Sequence, residues 1–208
     1  MTSTPVKICG VTRIEDALAA VYYGAHAIGL VFYRPSPRYV DPDTARAIVR
    51  ALPPFVTPVG LFVDAEEEEV RAAVARAGVQ MLQFHGAERP EFCEGFGMPY
   101  LRAVRVRAGV DLLQYARDFD GAKALLLDAF QEGVHGGTGA TFDWGMIPRE
   151  LPLPVVLSGG LTPDNVGDAI RRVKPAAVDV SSGVESSKGI KDAAKIAAFI
   201  SGARNADV

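Results

Sequence analysis

An α/β fold, a parallel eight-stranded (β/α)8 or TIM barrel built as a single domain over residues 1–208, is what this sequence predicts. Three observations carry the prediction. Eight short runs rich in apolar and β-branched residues alternate with stretches of helical periodicity, the pattern of repeated βα units. Several runs are apolar throughout, as strands of a parallel sheet covered on both faces must be. Glycine-rich turns follow the seventh and eighth runs, where barrels commonly hold phosphate, and no G-x-G-x-x-G follows the first, where a doubly wound dinucleotide-binding sheet would carry it.

The strands are expected over 6–9, 27–32, 58–63, 81–84, 100–104, 124–128, 154–158 and 177–180. Thr12 is placed to cap a first helix carrying Ile14, Ala17, Leu18 and Val21, with Glu15 completing a capping box and Gly24 as the stop. Asp41-Pro42 opens a second helix that carries Ile48 and ends near Leu52. Asp64 can cap a third, whose first turn holds Glu66, Glu67, Glu68 and Glu69. Acidic side chains there complement the helix dipole, so that run reads as structural rather than as a metal or partner site. The helical pattern near 111–119 is the weakest, Thr162-Pro163 starts a later helix with proline at its first position, and 192–200 forms the last.

The chain has 208 residues, of which 49% are hydrophobic, enough for a sizeable core. Its loops must be lean, because barrels of this type run to about 250 residues. A net charge of -3 and the lack of any lysine or arginine run argue against nucleic acid as a partner. No apolar stretch reaches the roughly 18 residues of a membrane span, and the polar segment before the first strand is too short for a signal peptide. Cys9 and Cys93 show neither zinc-type spacing nor a disulfide framework, so a cytoplasmic location is expected. The outer apolar helix faces serve core burial or a homodimer equally well.

Chemistry-bearing residues gather at the expected strand ends. Ser158-Gly159-Gly160 ends the seventh strand and Ser181-Ser182-Gly183 the eighth. Glycine lets the backbone approach a ligand, exposed N–H groups at a helix start favour an anion, and the hydroxyls add neutral donors. Cys9, at the end of the first strand, is either a small buried hydrophobe or a base, and barrels take their catalytic groups from such positions. Lys7 shares its face and either lowers the thiol pKa or serves a structural ion pair. Asp128 follows Leu125-Leu126-Leu127. It either caps the next loop or, partly buried, holds a proton to donate at neutral pH. Arg38, in a loop stiffened by Pro35 and Pro37, offers a fork suited to a carboxylate, with Arg34 competing. Gln83 and His85 read as pocket lining, and Asp179 as orienting pocket groups. Gly136-Gly137-Thr138-Gly139 reads as a mobile loop, or as a second phosphate cradle.

Seven segments appear in order: Lys7-Ile8-Cys9-Gly10, Ser36-Pro37-Arg38-Tyr39, Gln83-Phe84-His85-Gly86, Gly136-Gly137-Thr138-Gly139, Phe142-Asp143-Trp144, Leu157-Ser158-Gly159-Gly160-Leu161 and Asp179-Val180-Ser181-Ser182-Gly183-Val184-Glu185. Together they resemble the phosphoribosylanthranilate isomerase family over nearly the whole chain, with Phe84 standing where an aliphatic residue is commoner. The resemblance implies an Amadori rearrangement of N-(5-phosphoribosyl)anthranilate in tryptophan biosynthesis, by proton transfers that need neither metal nor cofactor. It implies Cys9 as general base, Asp128 as general acid and Arg38 as partner of the anthranilate carboxylate. Gln83, His85 and Asp179 would line the substrate site. Gly159, Gly160, Ser181, Ser182 and Gly183 would hold the phosphate. Two rivals remain. One is the aminosugar isomerase of histidine synthesis, which uses a pair of aspartates, so Cys9 speaks against it. The other is a silent phosphate-ligand binder, against which both Cys9 and Asp128 speak.

Overall fold

The computed structural model describes residues 4–129, 143–148 and 150–206. Eight strands, β1 (Val6–Ile8), β2 (Ala27–Val31), β3 (Thr57–Phe62), β4 (Met81–Phe84), β5 (Tyr100–Val106), β6 (Ala124–Ala129), β7 (Val155–Leu157) and β8 (Ala177–Val180), pair in parallel and close into a barrel in sequence order. All eight expected strands are present. The first, second and seventh are shorter than expected, so Cys9 and Ser158 stand just past strand ends, and the fifth runs two residues further. The glycine-rich loop expected at 136–139 lies outside the described residues.

Alternation along each strand separates two cores. On β6, Leu125 and Leu127 face outward and pack with Val104, Val106, Leu112 and Ala116. Leu126 faces inward and packs with Leu101, Ala103, Ala124 and Val156 across the barrel interior. Nearer the mouth the inward layer is Cys9, Val31, Leu61 and Val63. Lys7 and Cys9 therefore share the inward face of β1, while Val6 and Ile8 join the outer core.

The helices are α1 (Ile14–Tyr23), α2 (Pro42–Ala51), α3 (Glu67–Ala77), α4 (Pro90–Glu94), α5 (Leu112–Asp118), α6 (Val166–Val173) and α7 (Ala193–Asn205) among the described residues. Asp41 caps α2, accepting from the N–H groups of Asp43 and Thr44, as expected. Three expected caps are corrected. Arg13, not Thr12, is the N-cap of α1, and Thr12 Oγ1 instead donates to the Gly189 carbonyl at 2.6 Å. Glu66, not Asp64, caps α3 in a capping box with Glu69, while Asp64 accepts from the Ala87 N–H. Thr162-Pro163 lies ahead of α6, whose N-cap is Asn165. Thr12 and Asp64 have hydrogen-bond partners far along the chain, which local capping rules do not register.

The short helix α4 and a hairpin are not among the elements the sequence named. Between β8 and α7 the chain forms a small antiparallel hairpin, β9 (Glu185–Ser187) and β10 (Ile190–Lys191), outside the barrel.

Candidate active site

The mouth at the C-terminal ends of the strands holds a solvent-open cavity with about 520 Å³ of empty space. Its wall takes Cys9 from the end of β1, Tyr33, Ser36 and Arg38 from the loop after β2, and Gln83 and His85 from the end of β4. Asp128 comes from β6, Ser158 from the end of β7, and Asp179 and Ser181 from β8 and its loop, with Val31, Leu61 and Val63 as the apolar part. The expected base, acid and carboxylate partner are thus brought to one cavity. Arg34 points elsewhere, its guanidinium 5.3 Å from the Tyr39 ring.

Cys9 is buried beside a fixed positive charge. Lys7 Nζ donates to Asp179 Oδ1 at 2.7 Å, and Ser158 Oγ donates to Asp179 Oδ2 at 3.2 Å. Lys7 and Asp179 are register partners across β1 and β8, which fixes the pair. Burial opposes the Lys7 charge, yet Asp179 and Cys9 outweigh it and hold the ammonium above the usual lysine range. Burial pushes the Cys9 thiol above its ordinary value. Lys7 pulls it back and Asp179 adds to the rise. Both sequence alternatives for Lys7 therefore coexist, and the net lowering of the thiol pKa that the sequence suggested is not found, because burial wins. Gly29 makes the room: a Cβ there would stand 2.7 Å from Cys9 Sγ and 3.1 Å from Lys7 Nζ.

Asp128 is buried, and its Oδ1 accepts from the Ala129 N–H at 2.9 Å. Oδ2 lies 3.3 Å from His85 Nε2, but off the line a hydrogen bond needs, so that ring nitrogen has no partner among the described residues. Gln83 Nε2 is 3.5 Å from His85 Nδ1. The turn carrying His85 is braced by Glu88, which pairs with Arg102 at 2.8 Å and accepts from the N–H groups of Asp64 and Gly86.

The two glycine turns abut. Gly159 and Gly160 have φ of 80° and 68°, which favours glycine. A Cβ on Gly183 would run into the Leu161 carbonyl, so the loops after β7 and β8 touch only because that position is bare. Of the expected phosphate residues Ser181 lines the cavity, while Gly159, Gly160, Ser182 and Gly183 belong to the two adjoining turns and are not part of its lining. Gly10, with φ 69°, fits between Arg38 and Ser181.

Sequence reasoning missed Glu185 and Lys191 as site residues. Glu185 grips Arg38 through two hydrogen bonds of 2.7 and 2.8 Å, and Lys191 Nζ stands 3.0 Å from Glu185 Oε1. Glu185 was visible only as the last letter of a motif, 147 residues from Arg38.

Residues 6–202 match the model of the family described as N-(5'phosphoribosyl)anthranilate (PRA) isomerase. The chain belongs to that family. It is 60% identical over 200 residues to the N-(5'-phosphoribosyl)anthranilate isomerase of Nitrosospira multiformis, covering 96% of each chain. Among solved structures it resembles the phosphoribosyl anthranilate isomerase of Thermotoga maritima, with a TM-score of 0.88, 42% identity and coverage of 97% of this chain and 99% of that one. It also resembles an isomerase of the family in complex with reduced 1-(o-carboxyphenylamino)-1-deoxyribulose 5-phosphate, at TM-score 0.85 and 41% identity over 97% of this chain and 99% of that one. The cavity lies at the C-terminal ends of the strands, where barrels of this kind carry their chemistry.

Proposed function

We propose that Cys9 and Asp128 are the base and acid with which this chain isomerises N-(5'-phosphoribosyl)anthranilate. As a PRA isomerase it serves tryptophan biosynthesis. The observation that carries the mechanism is that both side chains enter one cavity from strands separated by β7 and β8.

The steps follow from the positions. Asp128 protonates the ribose ring oxygen as the C1–O bond breaks and the nitrogen lone pair forms the Schiff base. Cys9 then takes the proton from C2, and those electrons neutralise the iminium nitrogen as an enolamine. Protonation at C1, with loss of the enol proton, gives the ketone, so substrate and product are isomers and the chemistry consists of proton transfers. Lys7 supports the thiolate as it forms. Arg38 holds the anthranilate carboxylate, while Gln83, His85 and Asp179 shape the wall. Backbone N–H groups of the turns at Gly159, Gly160, Ser182 and Gly183, with the Ser181 hydroxyl, hold the phosphate.

The barrel described from Val6 to Asn205 supports reading residues 1–208 as one catalytic domain. Two free cysteines fit a reducing cytoplasm, and no described helix is long and apolar enough to cross a membrane. A homodimer is supported by the dimeric isomerase of Thermotoga maritima among the similar structures, and the fully exposed Phe55 ring is the contact we assign to it. Sedimentation of wild type and Phe55→Ala tests it: a monomeric wild type rejects the dimer.

The function is tested by following anthranilate-type fluorescence on addition of freshly made phosphoribosylanthranilate, in chelator-treated buffer. Rapid loss of the signal is expected. Turnover of the aminosugar isomerised in histidine synthesis instead, or of neither compound, would reject the reading.

A further inference from the structure

The hairpin after β8 holds charges that the proton transfers do not use. Glu185 and Lys191 are register partners across β9 and β10, and Glu185 is gripped from one side by Lys191 Nζ at 3.0 Å. On its other side, Arg38 Nε donates to Oε1 at 2.7 Å and Nη2 donates to Oε2 at 2.8 Å. This is the parallel fork of an arginine and a carboxylate, and both side chains are largely buried, at 11% and 6% exposure. Burial alone would raise the Glu185 pKa, but Arg38 and Lys191 outweigh it and keep the carboxylate ionised.

The fork occupies the edge of the guanidinium that runs from Nε to Nη2. A guanidinium carries five N–H donors, so the edge between Nη1 and Nη2 keeps donors for a second carboxylate. Arg38 lines the cavity, and Nη1 donates to nothing among the described residues. Arg38, Lys191 and Glu185 sum to a single positive charge, which one ligand carboxylate neutralises.

The hairpin cannot swing freely. Gly189 accepts from Thr12 Oγ1 at 2.6 Å, Lys191 N–H donates to Asp16 at 3.1 Å, and Lys195 Nζ donates to the Glu185 carbonyl at 2.7 Å. Lys191 Nζ also donates to the Ser181 carbonyl at 3.0 Å, which ties the arginine to the proposed phosphate turn.

We infer that Glu185, braced by Lys191, is a positioning residue that presents the open edge of Arg38 to the cavity and so selects ligands bearing a carboxylate on the ring attached to the sugar nitrogen. The inference rests on the reading of Arg38 as the carboxylate partner. A reach of two fixed points, the phosphate turn and the arginine edge, then defines the length of ligand the mouth accepts.

Calorimetry with two unreactive ligands tests it: the reduced product analogue, and the same compound without its ring carboxylate. Wild type is expected to prefer the first by about tenfold or more. Glu185→Gln keeps the shape but lets the arginine turn. Its preference is expected to fall to within about threefold, with the carboxylate-free ligand bound nearly as in wild type and the loss on substrate falling on KM rather than kcat. Equal weakening of both ligands would mean a structural role and overturn the inference. Should Glu185→Gln keep the wild-type preference while Arg38→Lys loses it, the role of Glu185 falls and the reading of Arg38 stands. If neither substitution changes the preference, the reading of Arg38 falls and the inference with it. Glu185→Asp, which keeps the charge but shortens the reach, carries the same comparison if the glutamine variant does not fold.

Discussion

At the scale of single residues, Lys7 and Cys9 set the pH behaviour. The thiol is held above its ordinary pKa by burial, against the pull of the Lys7 ammonium. A base acts only when deprotonated, so activity should climb as pH rises toward the thiol's ionisation. Removing Lys7 removes a charge that favours the thiolate and leaves Asp179, which disfavours it. Lys7→Met is therefore expected to move the rising limb of the pH profile of kcat/KM to higher pH, and an unmoved limb would contradict the coupling. Gly29→Ala should displace the Cys9 sulfur and lower kcat by about tenfold or more, and its crowding of the Cys9 sulfur and backbone should also cost about 1–3 kcal/mol of stability. Cys9 and Asp128 were legible as candidates because strand-end positions in a barrel are where chemistry is carried. Glu185 was not, because its partner lies 147 residues away and nothing local marks the pair.

At the scale of elements, the last two βα turns act as one unit. Gly183 lies against the Leu161 carbonyl, so any side chain there must part the turn after β8 from the turn after β7. Gly183→Ala is expected to weaken binding of inorganic phosphate by about tenfold or more, read by competition against the reduced product analogue. Unchanged phosphate affinity would show that the turns do not bind as a unit. Strand positions were readable to within a residue or two because runs such as 124–127 are apolar on both faces, as that part of β6 is here. Helix starts were less readable. Asp41 caps the helix it precedes, whereas Thr12 and Asp64 are taken by Gly189 and Ala87, distant partners that no window of sequence reveals. The β9–β10 hairpin was invisible for a related reason. Its residues are short and polar, and its order comes from Thr12, Asp16, Arg38 and Ser181 around it.

At the scale of the whole molecule, the barrel holds its mouth rigid by filling its interior. Leu126 is fully buried between Leu101, Ala103, Ala124 and Val156. Leu126→Ala should cost about 2–5 kcal/mol in denaturant unfolding, because neighbouring strands cannot collapse into the space. That packing allows side chains at the ends of β1, β2, β4, β6 and β8 to meet in one cavity. Single-turnover rates for wild type, Cys9→Ala and Asp128→Asn, read from the loss of substrate fluorescence, decide whether two of those side chains carry the proton transfers. Each variant is expected to bind the reduced product analogue nearly as wild type does and to react about 10²–10⁴-fold more slowly. A folded Cys9→Ala or Asp128→Asn that binds the analogue and reacts at the wild-type rate would contradict the assignment.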